Sequence, residues 1–238
     1  MAYLSEFVGS LVFLLMGYAY MCNISLKKTL VGTLNYIELV LAWSLAVAFG
    51  LGIAVTMGGM AFLNPCVVIG SLFLGSITFN EALMYLLMEF LASGVAIAIC
   101  RIFFHDSFKA TEGGQFRGIF SAYPVEKNIP LNFIQEAIAT FSFLFLVLLG
   151  ITYSGGNPIK IGIVGFGAVA VIALTLNSTG FSMNPMRSVF SAIWYTIIPI
   201  PNKSDTTDWK YQVIVNVCGS MLGGVLAVIA VSFIQAAL

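Results

Sequence analysis

Two stretches of sequence decide the fold of this chain: Asn64-Pro65-Cys66-Val67-Val68-Ile69-Gly70-Ser71-Leu72-Phe73-Leu74 and Asn184-Pro185-Met186-Arg187-Ser188-Val189-Phe190-Ser191-Ala192-Ile193-Trp194. Each opens with Asn-Pro, a typical helix start, because Asn caps free backbone N–H groups and Pro fits the first helical position. Each follows a loop that contains glycine, 58–63 in the first case and 180–183 in the second. Both are apolar, yet shorter than the roughly 20 residues that cross a hydrocarbon core as a helix. We therefore predict two re-entrant half-helices.

The composition predicts that the chain lies in a membrane. Of its 238 residues, 60% are hydrophobic and 8% are charged, the formal net charge is zero, and the mean hydropathy is +1.01. A soluble domain carries roughly 25% charged residues, because its surface needs charge to stay in solution. The balance excludes a soluble enzyme, a nucleic-acid binder with a basic face and a disordered chain. We predict a polytopic protein of the lipid bilayer, with no nucleic-acid partner.

Six further apolar segments are long enough to span the bilayer as helices. They lie near residues 4–23, 36–57, 81–104, 131–153, 159–177 and 211–236. The ten-residue alternation of polar and apolar residues that marks a transmembrane β-barrel is missing from the sequence. The predicted fold class is an all-α membrane protein with six transmembrane helices and two re-entrant half-helices.

The chain also repeats its own pattern. Glu6 lies in the first span and Glu136 in the fourth, and an Asn-Pro pair follows them at 58 and 48 residues, respectively. Three spans and a half-helix form an odd-numbered unit, so the two copies insert with opposite orientation and place a site near the midplane. We predict a single domain over 1–238, with inverted repeats at about 1–105 and 130–238 joined by a connector at 106–129.

These features resemble the aquaporin and aquaglyceroporin family, the major intrinsic proteins. The resemblance covers the whole chain and rests on the two Asn-Pro motifs and on Glu6 and Glu136. Three segments are similar to the glycerol-facilitator branch in particular: Gly118-Ile119-Phe120-Ser121-Ala122-Tyr123-Pro124, Asn132-Phe133-Ile134-Gln135 and Gly180-Phe181-Ser182-Met183. The resemblance implies an aquaporin-like single channel domain, transport of small uncharged solutes and a homotetramer.

The sequence departs from the family pattern at four positions. Cys66 and Met186 stand where the family's Asn-Pro-Ala triplets carry Ala, and Phe62 stands where the loop before Asn64 usually has His. Ser188 follows the arginine as in water channels, whereas glycerol facilitators usually have Asp there. These differences bear on the choice of solute.

The side-chain amides of Asn64 and Asn184 are the predicted hydrogen-bond donors of the pore. Two half-helices that meet by their N-termini each place roughly +0.5 charge at the midplane. A water or alcohol oxygen that accepts from both amides turns its hydrogens outward, which interrupts a chain of proton transfers. The alternative is that both asparagines serve only as helix caps.

Arg187 is the predicted selectivity residue. A cation inside the membrane is costly and is expected to face a polar cavity, where it donates to hydroxyl groups and repels cations. The alternative is an arginine that snorkels to the interface. The resemblance implies that Trp43, Ile172 and Phe181 complete the filter, with Ser44 as an alternative to Trp43 because the segment before Asn64 is one residue longer than usual.

Glu6, Glu136 and Glu89 are carboxyl groups that lie inside predicted spans. Glu6 and Glu136 either relay protons, as in a transporter, or accept hydrogen bonds from the backbone of the re-entrant loops. Their matched positions favour the second interpretation. Glu89, in the third span, is expected to support the helix bundle.

The predicted function is a passive channel for glycerol or short polyols together with water, which excludes ions and protons. The sequence shows no catalytic or metal-ligand cluster, so we predict that the chain is not an enzyme and needs no cofactor or metal. A water-selective aquaporin is the first alternative. A proton-coupled secondary transporter that uses Glu6 and Glu136 is the second.

The two guides to orientation disagree. The resemblance implies a multi-pass protein of the plasma membrane with cytoplasmic termini. Basic residues concentrate in the first, third and fifth connectors, and the positive-inside rule would place those connectors in the cytoplasm instead. We follow the resemblance, because the third connector is long and also carries Asp106, Glu112 and Glu126.

Overall fold

The computed structural model describes residues 1–237, which form helices and connecting loops with no β-strand in that range. Six helices are long and apolar enough to cross a membrane, and all their ends lie within two residues of the predicted segments. This confirms the all-α membrane fold. The spanning helices are α1 (Ala2–Ser25), α2 (Tyr36–Thr56), α4 (Phe79–Phe103), α7 (Ile129–Tyr153), α8 (Pro158–Thr175) and α10 (Trp209–Ala237).

The remaining helices are short. The first half-helix is α3 (Pro65–Phe73), and the second is a π-helical turn (Met186–Phe190) that continues as α9 (Ser191–Ile197). Two further helices, α5 (His105–Ala110) and α6 (Arg117–Phe120), lie in the third connector. Both predicted half-helices are present, and each is too short to cross the bilayer.

Local capping residues explain where several helices begin. The side chain of Asn35 accepts from the backbone N–H of Ile37 at the start of α2, and Asn157 does the same for Ile159 in α8. Thr78 and Glu81 exchange hydrogen bonds at the start of α4 as a capping box. Such caps satisfy the free N–H groups of a first turn, so the start of each span is encoded locally.

The half-helices pack across the two halves of the chain. α3 contacts α10, where a Cβ on Gly224 would lie 2.4 Å from Cβ of Cys66. The second half-helix contacts α4, where a Cβ on Gly94 would lie 2.5 Å from the ring of Trp194. Small residues let helix backbones approach closely in a bilayer, where apolar contact alone gives little drive to associate. Each half-helix is thereby held by a span of the other repeat.

Candidate pore and selectivity site

The two Asn-Pro motifs meet in the centre of the bundle through reciprocal hydrogen bonds. Nδ2 of Asn64 donates to the carbonyl oxygen of Met183 at 2.9 Å, and Nδ2 of Asn184 donates to that of Leu63 at 2.7 Å. Each Oδ1 accepts from its own half-helix, from the N–H of Cys66 and of Met186. An amide nitrogen has two hydrogens, so each asparagine keeps one N–H donor that these reciprocal hydrogen bonds do not use. Capping and donation to a solute are therefore compatible.

The loops before both motifs have the same unusual backbone. Ala61 and Leu63 have φ of 55° and 47°, and Phe181 and Met183 have φ of 63° and 45°. These residues lie three and one positions before Asn64 or Asn184 in both repeats. A left-handed conformation at a side-chain-bearing residue costs on the order of 1–3 kcal/mol and persists only where its surroundings enforce it. The two loops therefore share one strained backbone conformation, which indicates that they have the same function in both repeats.

Glu6 and Glu136 help to hold the two loops in this strained conformation. Glu6 accepts from the backbone N–H of Leu63 at 2.5 Å and of Phe62 at 3.1 Å. Glu136 accepts from the N–H of Met183 at 2.6 Å. Both carboxyl groups are fully buried and hold the residue directly before an Asn-Pro motif. The bonds satisfy backbone donors that lipid could not satisfy.

Arg187 lies against the face of Trp43, with its guanidinium carbon 4.6 Å from the ring centroid. The side chain is buried, and its Nε and Nη1 atoms have no hydrogen-bond partner within residues 1–237. The backbone carbonyl of Arg187 accepts from the Tyr18 hydroxyl at 3.2 Å, which fixes the start of the half-helix. The arrangement leaves unused donors of a positive group beside an aromatic wall, which is suited to binding hydroxyl oxygens.

A cavity of about 50 Å³ joins these groups. Its walls include both asparagines, Arg187, Trp43 and Phe181, together with a set of apolar residues. About 10–15 Å³ of such space holds one water, so the cavity fits a few waters or one short polyol. The added apolar wall residues are Phe13, Val47, Leu51, Phe62, Leu63, Phe143, Leu144, Val147, Val169 and Met183.

Two predicted filter positions lie outside that wall. Ile172 is 3% exposed in the core, whereas Val169, one turn earlier on α8, faces the cavity. Ser44, the alternative to Trp43, is also buried away from the cavity, and its hydroxyl has no partner in the described chain. Since Trp43 and Ser44 are neighbours on α2, a helical offset of about 100° per residue sends them in different directions.

A family model described as "Major intrinsic protein" matches residues 1–231. The chain belongs to the major intrinsic protein family. Glycerol uptake facilitator protein 2 of Lactiplantibacillus plantarum is 35% identical, over 94% of this chain and 95% of that protein. The glycerol uptake facilitator protein of Streptococcus pneumoniae serotype 4 is 32% identical, over 95% and 96% of the two chains.

A solved structure of similar fold is the aquaglyceroporin from Plasmodium falciparum. It matches with a TM-score of 0.79 at 22% identity and covers 95% of this chain and 93% of that one. This match confirms the predicted aquaporin-like fold. The names of the relatives describe transport facilitators, which confirms the prediction of a transport protein rather than an enzyme.

Phe13 and Phe143 are wall residues of this major intrinsic protein that were not predicted. Each lies seven residues after a buried glutamate, Glu6 or Glu136, which is two helical turns along the same face. The repeat therefore contained the signal for both. Their rings add to Trp43 and make much of the wall aromatic.

The third connector holds the second loop in place. Gly180 has φ of 86°, and a Cβ on it would lie 2.1 Å from the carbonyl oxygen of Tyr123. The hydroxyl of Ser121 donates to the carbonyl of Ser188 at 3.3 Å. Only glycine fits this crossing, so the connector sets the position of Phe181.

Ion pairs tie the third and fifth connectors together. Arg117 lies 3.8 Å from a carboxylate oxygen of Asp205, and Lys127 contacts Asp208. Donation by Lys127 lowers the pKa of Asp208, which stabilises its charged form. These contacts hold the third and fifth connectors against each other.

Replacing Gly17 with alanine is expected to reduce solute flux. A Cβ at Gly17 would lie 2.2 Å from the ring of Trp43, so the ring must move from its contact with Arg187. We expect permeability in proteoliposomes to fall by roughly fivefold or more, since a pore one solute wide tolerates little displacement. Gly167→Ala is the matched control, because a Cβ there meets no atom within 4 Å. Equal loss in both variants, or none in Gly17→Ala, would contradict the assigned role of the Trp43 ring.

Proposed function

We propose that this protein is a passive channel for glycerol and short polyols, together with water, and that it excludes ions and protons. The observation that carries the proposal is the cavity itself, where Arg187 and the two asparagines lie beside the aromatic side chains of Trp43 and Phe181. The names of the two glycerol uptake facilitators support glycerol as the solute.

Such walls suit a molecule with two different faces. A polyol presents hydroxyl groups on one side and C–H groups on the other. Arg187, Asn64 and Asn184 donate to the hydroxyls, while Trp43 and Phe181 offer apolar surface to the carbons. Ile172 lies one turn beyond Val169 on α8, outside the cavity wall, and we assign to it an effect on the width of the opening only through the packing of α8.

Exclusion of ions follows from charge placement. The N-termini of both half-helices meet at the centre, where the dipole of each contributes about half a positive charge. Arg187 adds a full charge near the same point. A cation that enters loses water and meets only donors, so its transfer is opposed.

The contacts of the buried carboxyl groups favour a channel over a proton-coupled transporter. Glu6 and Glu136 are held by loop N–H groups and are not among the residues that line the cavity. A water-only channel fits the aromatic walls less well, because water has no C–H face to place against them.

The proposal is tested by light scattering of proteoliposomes in a glycerol gradient. We expect glycerol influx well above that of empty liposomes, with no saturation at low concentration and no response to a proton gradient. Sorbitol, a longer polyol, serves as the slowly permeating reference. Water flux without glycerol flux would support the water-only alternative, and uphill glycerol accumulation driven by pH would support the transporter.

We further propose a homotetramer in the plasma membrane with cytoplasmic termini. The family resemblance supports all three. Across 1–238, both repeats and the connector contribute to one channel domain.

A further inference from the structure

Glu89 is a buried carboxyl group that the proposed transport path does not use. It lies on α4, is 0% exposed, and is not among the residues of the cavity wall. Neither of its oxygens has a hydrogen-bond partner of ordinary length within residues 1–237, although the backbone N–H of Asn64 lies nearby. A buried carboxylate without a donor is costly, particularly inside a membrane.

The neighbour of Glu89 is another acid. Its carboxyl group lies beside that of Glu6 where α4 packs against α1, and the two oxygens of Glu6 already accept from Leu63 and Phe62. Neither acid forms an ion pair in the described chain. Two adjacent carboxylates without a cation repel each other strongly.

The other titratable groups around this acid pair bring no positive charge, because a thiol and a phenol are never cationic. They are Cys66, which approaches from α3, and Tyr85, which lies on α4 itself. Arg187 belongs to the π-helical turn packed against α4, but its guanidinium lies on Trp43. Positive charge therefore does not balance Glu6 and Glu89.

Glu136, in the second repeat, has neutral hydrogen-bond donors that the acid pair of the first repeat lacks. Glu136 accepts from the backbone N–H of Met183 and also from the hydroxyls of Thr179 and Ser220, the latter at 2.9 Å. Neutral side-chain donors thus complete the surroundings of Glu136. Beside Glu6, the corresponding place is taken by a carboxyl group that can donate only when it carries a proton.

We propose that Glu89 is a positioning residue that shares one proton with Glu6. The shared proton supplies the missing donor, leaves one negative charge on the pair, and lets Glu6 hold the loop before Asn64. Loss of that proton at alkaline pH places two charges side by side, which loosens the loop and displaces the donor of Asn64. This effect on transport rests on the proposed channel function.

Infrared spectroscopy of the reconstituted protein tests the proton directly. The spectrum of Glu89→Gln is subtracted from that of the wild type at neutral pH. We expect the wild type to show one additional band of a protonated carboxyl group, because the glutamine variant has no proton to share. A difference spectrum that shows only the loss of an ionised carboxylate would overturn the proposal. This measurement does not depend on transport.

Glycerol flux against pH tests the consequence. Between about pH 7 and about pH 10, we expect wild-type permeability to fall reversibly by about threefold or more, while Glu89→Gln keeps its neutral-pH permeability throughout. Glu81→Gln, at the start of the same helix, should behave as the wild type, because glutamine can also complete the capping box with Thr78. A flat wild-type profile, or an equal fall in Glu89→Gln, would overturn the positioning role.

The two tests also separate this inference from the proposed function. A wild type that carries no glycerol at any pH would count against the channel, whereas the infrared band would still decide whether the acid pair holds a proton.

Discussion

Replacing Arg187 with valine is expected to make the protein leak protons or small cations. The change removes the full positive charge beside the cavity and leaves only the dipoles of the two half-helices. At an effective dielectric constant near 20, a unit charge repels a cation 4 Å away by about 4 kcal/mol, so we expect leak to rise by about tenfold or more. A pH-sensitive dye inside proteoliposomes measures proton entry, and an applied potential drives cation flux.

Arg187→Lys is the control for this prediction. Lysine keeps the charge but loses the planar set of donors, so ion exclusion should persist while glycerol flux falls. In the wild type, the guanidinium carbon lies 4.6 Å from the centroid of the Trp43 ring, and the valine variant leaves this face of the ring uncovered. If Arg187→Val changes neither ion leak nor glycerol flux, the arginine does not act as the selectivity residue.

Replacing Glu136 with leucine is expected to destabilise the protein and abolish transport. The carboxyl group accepts from the N–H of Met183 and from the hydroxyls of Thr179 and Ser220, all in a buried site. Each buried donor left without a partner costs about 1–3 kcal/mol, so the loss amounts to about 3 kcal/mol or more. Thermal unfolding in detergent and glycerol flux in proteoliposomes measure the two effects.

Two variants control the second prediction. Glu136→Gln keeps one acceptor oxygen but brings a new donor toward the same groups, so its stability should be intermediate. Glu112→Leu changes an exposed acid of the third connector and should leave both measurements unaltered. Wild-type stability in Glu136→Leu would show that the loop before Asn184 does not depend on this carboxyl group.

The spanning helices could be predicted to within two residues because their signals are local. Each needs an apolar run of sufficient length, and several begin at a cap such as Asn35, Thr78 or Asn157. The half-helices could also be predicted, since inside a membrane Asn-Pro followed by a short apolar run is typical of few other structures.

The walls of the cavity were only partly predictable. Arg187 and the two asparagines were predicted from the motifs, Trp43 and Phe181 were predicted from the family resemblance, and the structure brings all five together. Phe13 and Phe143 were missed, because an apolar residue on a span has the same local pattern whether it faces lipid, a neighbour or the pore. For the same reason, the sequence could not decide whether Trp43 or Ser44 faces the pore, since neighbouring residues on a helix differ only in the direction of their side chains.

The sequence by itself determined the helical class, the inverted repeat and the residues able to donate inside the membrane, because hydropathy, capping and the two matched motifs are encoded in short segments. Only the tertiary structure decided which atoms meet. The crossed bonds of Asn64 to Met183 and of Asn184 to Leu63 join residues more than a hundred positions apart. The approach of Glu89 to Glu6 likewise depends on how α4 packs against α1. Such contacts follow from the packing of whole helices, in which small residues set how closely the backbones approach, and no local pattern specifies them.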